Sequence, residues 1–246
     1  MSLVKACLNG GREPSEHPAL PLSPPELAAA ARSVMDVGAF AVHVHPRDGE
    51  GRQSLEAGPC GAAVEAIRSA CPGLPVGLST AATIEPDAER RLHLVRGWSA
   101  KPDFVSVNLF EPGAPELVRA LPTLEIGVEA GLETIADASL LVAEELAPAC
   151  LRVLVEVAEA DPAAALTTAA AIDEVLDEAG ISLQRVYHGY GDTTWRVIEA
   201  ALAKGRHVRV GLEDTLTLPD GRLARDNAEL VVAALGLAEA LGLEGG

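Results

Sequence analysis

Short runs of β-branched and aliphatic residues alternate with longer amphipathic segments along this chain, which predicts repeated strand–helix units. Eight runs have the length and composition of buried strands, at residues 4–8, 39–45, 74–79, 104–108, 124–128, 151–157, 185–189 and 207–210. The first helix has clear ends, because Ser23 precedes two prolines and Glu26, and Gly38 follows the last apolar position. Seven further helices are predicted at residues 59–70, 87–97, 114–121, 135–146, 162–178, 193–203 and 227–241.

The regular order of these pairs predicts the fold class. No linker rich in Pro, Gly or Ser separates two halves of the chain. We therefore expect one domain over residues 1–246, folded as a parallel (β/α)8 TIM barrel. A doubly wound open sheet is the alternative topology.

Composition narrows the range of partners. The formal net charge is −17, with 48% hydrophobic and 22% charged residues, which is typical of a globular chain whose field repels phosphate backbones and anionic lipids. This negative charge argues against a nucleic-acid partner. We also expect no membrane partner, since no apolar run reaches the roughly 18 residues of a membrane span. Four separated cysteines, without a CxxC pair or a secretory leader, predict reduced thiols in a cytoplasmic protein.

Polar groups follow most predicted strands, and in a barrel the carboxyl ends of the strands form the active-site face. His43 and His45 are two residues apart on one strand, so both imidazoles point to the same side. They could share a zinc ion with Glu213, which ends the last strand next to the first. A pair of hydrogen-bonded core histidines is the alternative interpretation.

Arg209 and Asp214 also belong to the last strand and the loop that follows it. An arginine beside a carboxylate holds it ionised and fixes its rotamer, so Asp214 could serve as a positioned general base. An ordinary ion pair that closes the barrel would have the same spacing.

Other strand ends carry weaker signals. Ser79 and Asn108 could hydrogen-bond to a carbonyl or enolate, and His188 precedes a glycine-rich turn that could contact a ligand. We interpret Glu125, Arg152 and Glu156 as a buried structural ion network, from which Glu156 or Glu129 could reach the substrate.

Six motifs taken together resemble a known family, the β-keto acid cleavage enzymes. They are NGGR at 9–12 with HPALP at 17–21, HVHPRD at 43–48, LST at 78–80, VSVN at 105–108, RVGLED at 209–214 and DNAELV at 226–231. The order of HxHxRD and RxGxED is more specific than either motif alone, and the resemblance spans nearly the whole chain.

The resemblance implies a zinc-containing TIM barrel in which a β-keto acid and acetyl-CoA yield acetoacetate and a new CoA thioester. By the family pattern His43, His45 and Glu213 bind the metal, and Asp214, oriented by Arg209, removes the proton beside the carbonyl. The resemblance further implies that Ser79, Ser106 and Asn108 bind the substrate or its oxyanion. The substrate-binding set is completed by Arg12, Glu129 and His188, and we expect a homo-oligomer, either a tetramer or a dimer.

One departure from the family concerns the loop after the first strand. The founding activity, cleavage of 3-keto-5-aminohexanoate, places a glutamate there for the substrate's ammonium, whereas this chain has Arg12. Because a cation repels an amine, we expect a substrate with an anionic or neutral tail.

Two other functions compete with this one. A zinc hydrolase of the amidohydrolase type also starts from HxH, but it needs further strand-end histidines, and only His188 is available here. A non-catalytic barrel that binds a metabolite is the third option, and bound metal together with turnover would exclude it.

Overall fold

The computed structural model describes residues 3–242, in which eight parallel strands pair in chain order and β8 pairs with β1 to close a barrel. The strands are β1 Val4–Cys7, β2 Ala41–Val44, β3 Val76–Ser79, β4 Phe104–Asn108, β5 Gly127–Leu132, β6 Arg152–Val157, β7 Arg185–Gly189 and β8 His207–Val210. The predicted fold class is therefore confirmed.

A helix follows every strand and covers the outside of the barrel. The helices are α1 Pro24–Asp36, α2 Ala57–Ala70, α3 Ala88–Arg96, α4 Ala114–Ala120, α5 Ile135–Ala143, α6 Pro162–Glu178, α7 Thr194–Ala203 and α8 Asn227–Ala240, with short 3-10 turns at Leu121–Leu124, Ala147–Ala149 and Gly191–Thr193. The ends of α1 agree with the sequence, because the Glu26 carboxylate accepts a hydrogen bond from the Ser23 amide at 2.8 Å and Gly38 has a φ of +106°.

The hydrophobic core lies between the strands and the helices. Side chains alternate across each strand, so Val4, Ala6 and Leu8 point outward into this core while Lys5 points into the barrel. The inward positions carry many charged and polar groups, which makes the barrel interior polar towards its mouth. The four cysteines are buried thiols.

The strand register sets which inward groups share a level. Cys7 lies beside His43, and Ser79 lies beside Ser106. On the other side of the barrel Glu156 lies beside His188. The polar strand ends therefore form one ring at the carboxyl mouth.

The fifth strand differs from its prediction. A strand was expected at residues 124–128, but the chain forms a 3-10 turn over Leu121–Leu124 and β5 begins at Gly127. Glu125 adopts the left-handed conformation with a φ of 60° and lies outside the barrel near Lys101, 3.8 Å away. The prediction that Glu125 joins a buried ion network is therefore wrong, because the turn ends the helical segment one residue before it.

Across residues 3–242, no helix combines the length and the apolar character needed to cross a bilayer.

Candidate active site

Two imidazoles and one carboxylate converge at the barrel mouth. The Nε2 atoms of His43 and His45 each lie 3.8 Å from an oxygen of Glu213, and one ligand atom from each residue lies within 4.8 Å of the others. Ligand atoms in a tetrahedral zinc site with bonds of about 2.0–2.1 Å lie about 3.4 Å apart. The spacing and the two-histidine, one-carboxylate donor set therefore fit a catalytic divalent metal such as zinc.

Asn9 and Gln53 hold His45 in place, a role that the sequence did not predict for either residue. The Asn9 side chain donates to the His45 carbonyl and accepts from the His45 amide, both at 2.9 Å. Gln53 Oε1 lies 2.5 Å from Nδ1 of His45, which leaves the other nitrogen free to face the cluster. The NGGR motif contained the signal for Asn9, whereas Gln53 lies on a loop with no recognisable pattern.

The protonation states also suit a metal. Burial lowers the pKa of His43 well below its usual value, so its imidazole is neutral. Burial alone would raise the pKa of Glu213, but Arg209, His43 and His45 outweigh burial and lower it. Neutral imidazoles and an ionised carboxylate are the forms that bind divalent cations.

Arg209 joins the metal cluster to Asp214. Its Nη2 lies 2.7 Å from Oε1 of Glu213 and 2.6 Å from Oδ1 of Asp214, and its Nε donates to the same Asp214 oxygen at 3.2 Å. Burial raises the pKa of Asp214 while Arg209 opposes that shift. The guanidinium therefore balances two buried carboxylates and holds Asp214 in a single orientation.

The wall formed by β6 and β7 carries a second pair of ionisable groups. His188 is fully buried, with Nε2 3.3 Å from Oε2 of Glu156 and Nδ1 3.4 Å from Oδ1 of Asp214. Burial raises the pKa of Glu156 to about 8 and lowers that of His188 well below its usual value. Both groups are therefore neutral near pH 7, and His188 faces carboxyl groups on both sides.

The hydrogen-bonding groups of β3 and β4 lie on the same rim. Ser79 and Ser106 are buried neighbours in register, and the Ser79 hydroxyl accepts from the Ala81 amide at 3.2 Å. Asn108 donates to Oε1 of Glu111 at 3.1 Å, which leaves its amide oxygen on the side of Gly131. Ser79 and Asn108 are the last residues of β3 and β4, as the sequence predicted, and Ser106 lies two residues before the end of β4.

Glu129 lies beside Ser106 in the strand register, three residues before the end of β5 at Leu132. It is fully buried, forms an ion pair with Lys5, and has Oε1 2.7 Å from Nε of Arg152. Glu129 therefore balances the charges of Lys5 and Arg152 inside the barrel, and its contact with the substrate stays a prediction. A buried ion network therefore exists here, but it joins Lys5, Glu129 and Arg152. Of the other predicted members, Glu125 lies at the surface and Glu156 lies beside His188.

Arg12 lies at the rim, on the loop after β1. Its Nε donates to the Leu212 carbonyl, and its Nη1 lies 2.8 Å from Oε1 of Glu16. The side chain remains 22% exposed. Glu16 therefore offsets part of the positive charge that Arg12 presents to a substrate.

A closed (β/α)8 barrel with ionisable groups gathered at its carboxyl mouth is the architecture of a barrel enzyme. The family model of the beta-keto acid cleavage enzymes matches residues 2–123 and 124–245, which together cover almost the entire sequence. The chain belongs to this family, and the family resemblance expected from the sequence is confirmed.

Individual relatives agree with the family assignment. The chain is 25% identical to the 3-keto-5-aminohexanoate cleavage enzyme of Acetoanaerobium sticklandii, over 98% of this chain and 92% of that protein. It is also 25% identical to the enzyme of the same name from Fusobacterium nucleatum, over 98% of this chain and 93% of that protein. These relatives support an enzyme that cleaves β-keto acids.

Solved structures of ObcA share the fold. Its complex with oxaloacetate and its ternary complex with a C4-CoA adduct and oxalate each superpose with a TM-score of 0.71 at 18% identity. The match covers 92% of this chain but only 64% of the ObcA chain, so this protein spans about two thirds of the length of ObcA.

Proposed function

We propose that this chain is a zinc-dependent β-keto acid cleavage enzyme that uses acetyl-CoA as co-substrate. In the overall reaction the bond between the keto carbon and the CH2–COO⁻ unit breaks, and that unit becomes bonded to the acetyl carbonyl. The products are acetoacetate and the CoA thioester of the remaining acyl group, so atoms balance without a redox cofactor. The convergence of the His43–His45–Glu213 cluster with Asp214 at one mouth carries this proposal.

His43, His45 and Glu213 would hold the zinc. Oε2 of Glu213 is buried and has no hydrogen-bond partner among residues 3–242, which makes this oxygen available to a bound cation. Bound zinc supplies a Lewis acid that polarises the keto acid's carbonyl.

Asp214 would act as the general base. All its hydrogen bonds use Oδ1, whereas Oδ2 is buried and without a partner in the described part of the chain. We propose that this oxygen accepts the proton from the carbon beside the substrate carbonyl while Arg209 holds the carboxylate in place. Ser79, Ser106 and Asn108 would bind the substrate or the developing oxyanion.

Acetyl-CoA would approach from the loop that follows β2. A cavity of about 520 Å³ there is lined by Arg47, Arg52 and Gln53 together with Glu13 and Glu50, and Gln53 contacts the metal ligand His45. Arg52 is paired with Glu50 and Asp48, so Arg47 is the arginine that would offer its charge to the phosphates of CoA. The ternary complex of ObcA contains a C4-CoA adduct, which supports a CoA thioester as the co-substrate.

We propose a β-keto acid with an anionic or neutral tail in place of the amine-bearing aminohexanoate. Arg12 carries this inference, because its guanidinium lies at the rim and is 22% exposed, where it would repel a cationic tail. We further propose that the protein is a cytoplasmic homo-oligomer, a dimer or tetramer, which light scattering would measure.

A substrate screen tests the proposal. Purified protein is loaded with zinc, its metal content is measured, and β-keto acids with neutral, anionic and cationic tails are incubated with acetyl-CoA. We expect about one zinc per chain, together with equal release of acetoacetate and acyl-CoA. Asp214→Asn should abolish turnover while it retains the metal. Hydrolysis of the thioester without acyl exchange, or full activity in the Asn variant, would refute the proposal.

A further inference from the structure

The backbone just before Glu213 continues past the end of the strand pairing that closes the barrel. The register of β1 and β8 ends where Ala6 lies beside Val210. Leu212, two residues further along, is fully buried. Because a buried backbone amide needs a hydrogen-bond partner, the N–H group of Leu212 must be satisfied from outside the two strands.

That partner is the side-chain amide of Asn227, the first residue of α8. Its Oδ1 accepts a hydrogen bond from the Leu212 amide at 2.8 Å, and its Nδ2 donates to the Leu8 carbonyl at 2.9 Å. The residue is only 2% exposed. Since a side-chain amide offers one acceptor and one donor group, it can take the place of a backbone peptide group. Asn227 therefore continues the pairing of β1 and β8 beyond the ends of both strands.

Helix α8 does not depend on this side chain for its own first turn. Asp226 is the N-cap, and its carboxylate accepts a hydrogen bond from the Glu229 amide at 2.9 Å. The amide of Asn227 can therefore point towards the barrel instead of capping the helix.

Gly211 allows the backbone to come close enough for this contact. A Cβ atom at residue 211 would lie 1.9 Å from the Cys7 carbonyl oxygen and 2.9 Å from Oδ1 of Asn227. Any larger side chain would push the end of β8 away from β1. The glycine and the asparagine are thus two parts of one local arrangement.

The other polar group of Leu212 is also held by a side chain. Nε of Arg12 donates to the Leu212 carbonyl. With its N–H and C=O groups both bonded, Leu212 has restricted backbone angles, and these angles set the direction in which the next residue leaves the chain. That next residue is Glu213.

An equivalent arrangement supports the opposite side of the proposed metal cluster. Asn9 bonds to the amide and to the carbonyl of His45 across the seam between β1 and β2, as described above. Both seams beside β1 are therefore extended by an asparagine side chain. Each asparagine fixes the backbone at or next to a residue of the His43–His45–Glu213 cluster.

We propose that Asn227 is a positioning residue for the metal centre, which holds the Leu212 amide and thereby keeps Glu213 directed towards His43 and His45. The inference rests on the proposed role of Glu213 as a metal ligand. Asn227 acts through the backbone, from a helix that supplies no ligand itself.

Metal affinity in a matched pair of variants tests this role. Asn227→Leu keeps the branch at Cγ and removes both hydrogen-bonding groups, so we expect zinc affinity, measured by chelator competition, to fall by about 10- to 100-fold. Tyr187→Phe is the control, because it removes a buried hydrogen bond to Asp173 on α6, outside the strands. It should lower the melting temperature and leave the zinc affinity unchanged. Wild-type zinc affinity in Asn227→Leu would overturn the proposal.

Cobalt(II) in place of zinc separates misplacement of a ligand from a loss of stability. The visible spectrum of cobalt reports the number and the geometry of its ligands. We expect Asn227→Leu to change this spectrum and Tyr187→Phe to retain that of the wild-type protein. A change of equal size in both variants would show that general destabilisation, and not Asn227, alters the site.

Amide hydrogen exchange in the wild-type protein needs no variant, so it remains decisive even if Asn227→Leu does not fold. We expect slow exchange at the Leu212 amide, with zinc and without it, because its hydrogen bond is buried. Free exchange there would overturn the proposal. If the Leu212 amide is protected and Asn227→Leu alters the metal site, but no β-keto acid is cleaved, the proposed function fails and the positioning role stands. If the wild-type protein cleaves a β-keto acid and Asn227→Leu binds zinc normally, the function stands and the positioning role fails.

Discussion

The backbone at Gly10 passes directly beside the carboxylate proposed to bind zinc. Gly10 has a φ of +55°, and a Cβ atom there would lie 2.5 Å from Cγ of Glu213. An ordinary carbon–carbon contact begins near 3.4 Å, so in Gly10→Ala the Glu213 side chain must move by about 1 Å. Because metal–ligand distances tolerate only about 0.2 Å, a displacement of that size should remove Glu213 from the coordination sphere.

Gly180→Ala is a matched control for this change. Gly180 has a φ of +68°, and a Cβ atom there would have no neighbour within 4 Å. Both variants place a side chain in left-handed backbone, at a cost of about 1–2 kcal/mol each. Only Gly10→Ala should also weaken zinc binding, by about 10- to 100-fold, which is about 1.4–2.8 kcal/mol of lost stabilisation in saturating zinc.

The assay is urea unfolding of both variants, first with a chelator and then with saturating zinc, alongside chelator competition for the zinc affinity. We expect similar free energies of unfolding without metal and a clear difference with it. If Gly10→Ala binds zinc as tightly as Gly180→Ala, Glu213 is not a ligand and the proposed metal site is wrong.

Other perturbations address the groups around the cluster. Glu156→Gln should flatten the pH dependence of the unfolding free energy, because burial raises the pKa of Glu156 from the ordinary 4.5 to about 8 in the folded protein. The protonated carboxyl group therefore favours the folded state fully below pH 4.5, and this contribution is lost as the pH rises through 8. Relative to the variant, the wild-type protein should lose up to about 5 kcal/mol over that range, and parallel pH profiles would contradict this. Gln53→Leu should weaken zinc binding by about 10- to 100-fold, because it removes the hydrogen bond to His45. Arg52→Leu, at a neighbouring side chain that is 70% exposed, should leave the zinc affinity unchanged. Equal zinc affinities in the two variants would show that Gln53 does not orient His45. Arg209→Met should destabilise the fold by about 3–5 kcal/mol, because it leaves the buried carboxylates of Glu213 and Asp214 unpaired. Arg196→Met is the control, since it removes an exposed ion pair worth less than about 1 kcal/mol. Similar melting temperatures of the two variants would contradict this expectation.

The agreement between sequence and structure was greatest where a local pattern has one structural solution. Eight alternating strand and helix segments predict a parallel sheet covered by helices because parallel strands must bury both faces, and the pairing of β8 with β1 closes that sheet into a barrel. Once the strands are parallel, their carboxyl ends meet at one mouth. His43, His45 and Glu213 could therefore be grouped without knowledge of any distance.

The fifth strand shows the limit of such reasoning. The run at residues 124–128 is as apolar as a short strand, yet the chain still turns at Leu121–Leu124 and enters the sheet at Gly127. A shift of a few residues changes both the depth and the direction of each side chain. Glu125 consequently lies on the surface, while Glu129 is buried inside the barrel between Lys5 and Arg152.

The sequence by itself determined the eight strand–helix units, the family and the polar side chains at the strand ends, because periodicity and short motifs are local properties of the chain. Only the tertiary structure decided that Gln53 orients His45, that Gly10 makes room for Glu213 and that Asn227 bonds to the backbone of Leu212 and Leu8. Those contacts depend on how separate strands and loops are placed relative to one another in three dimensions. No spacing along the chain specifies them, since closure of the barrel brings together groups that are distant in sequence.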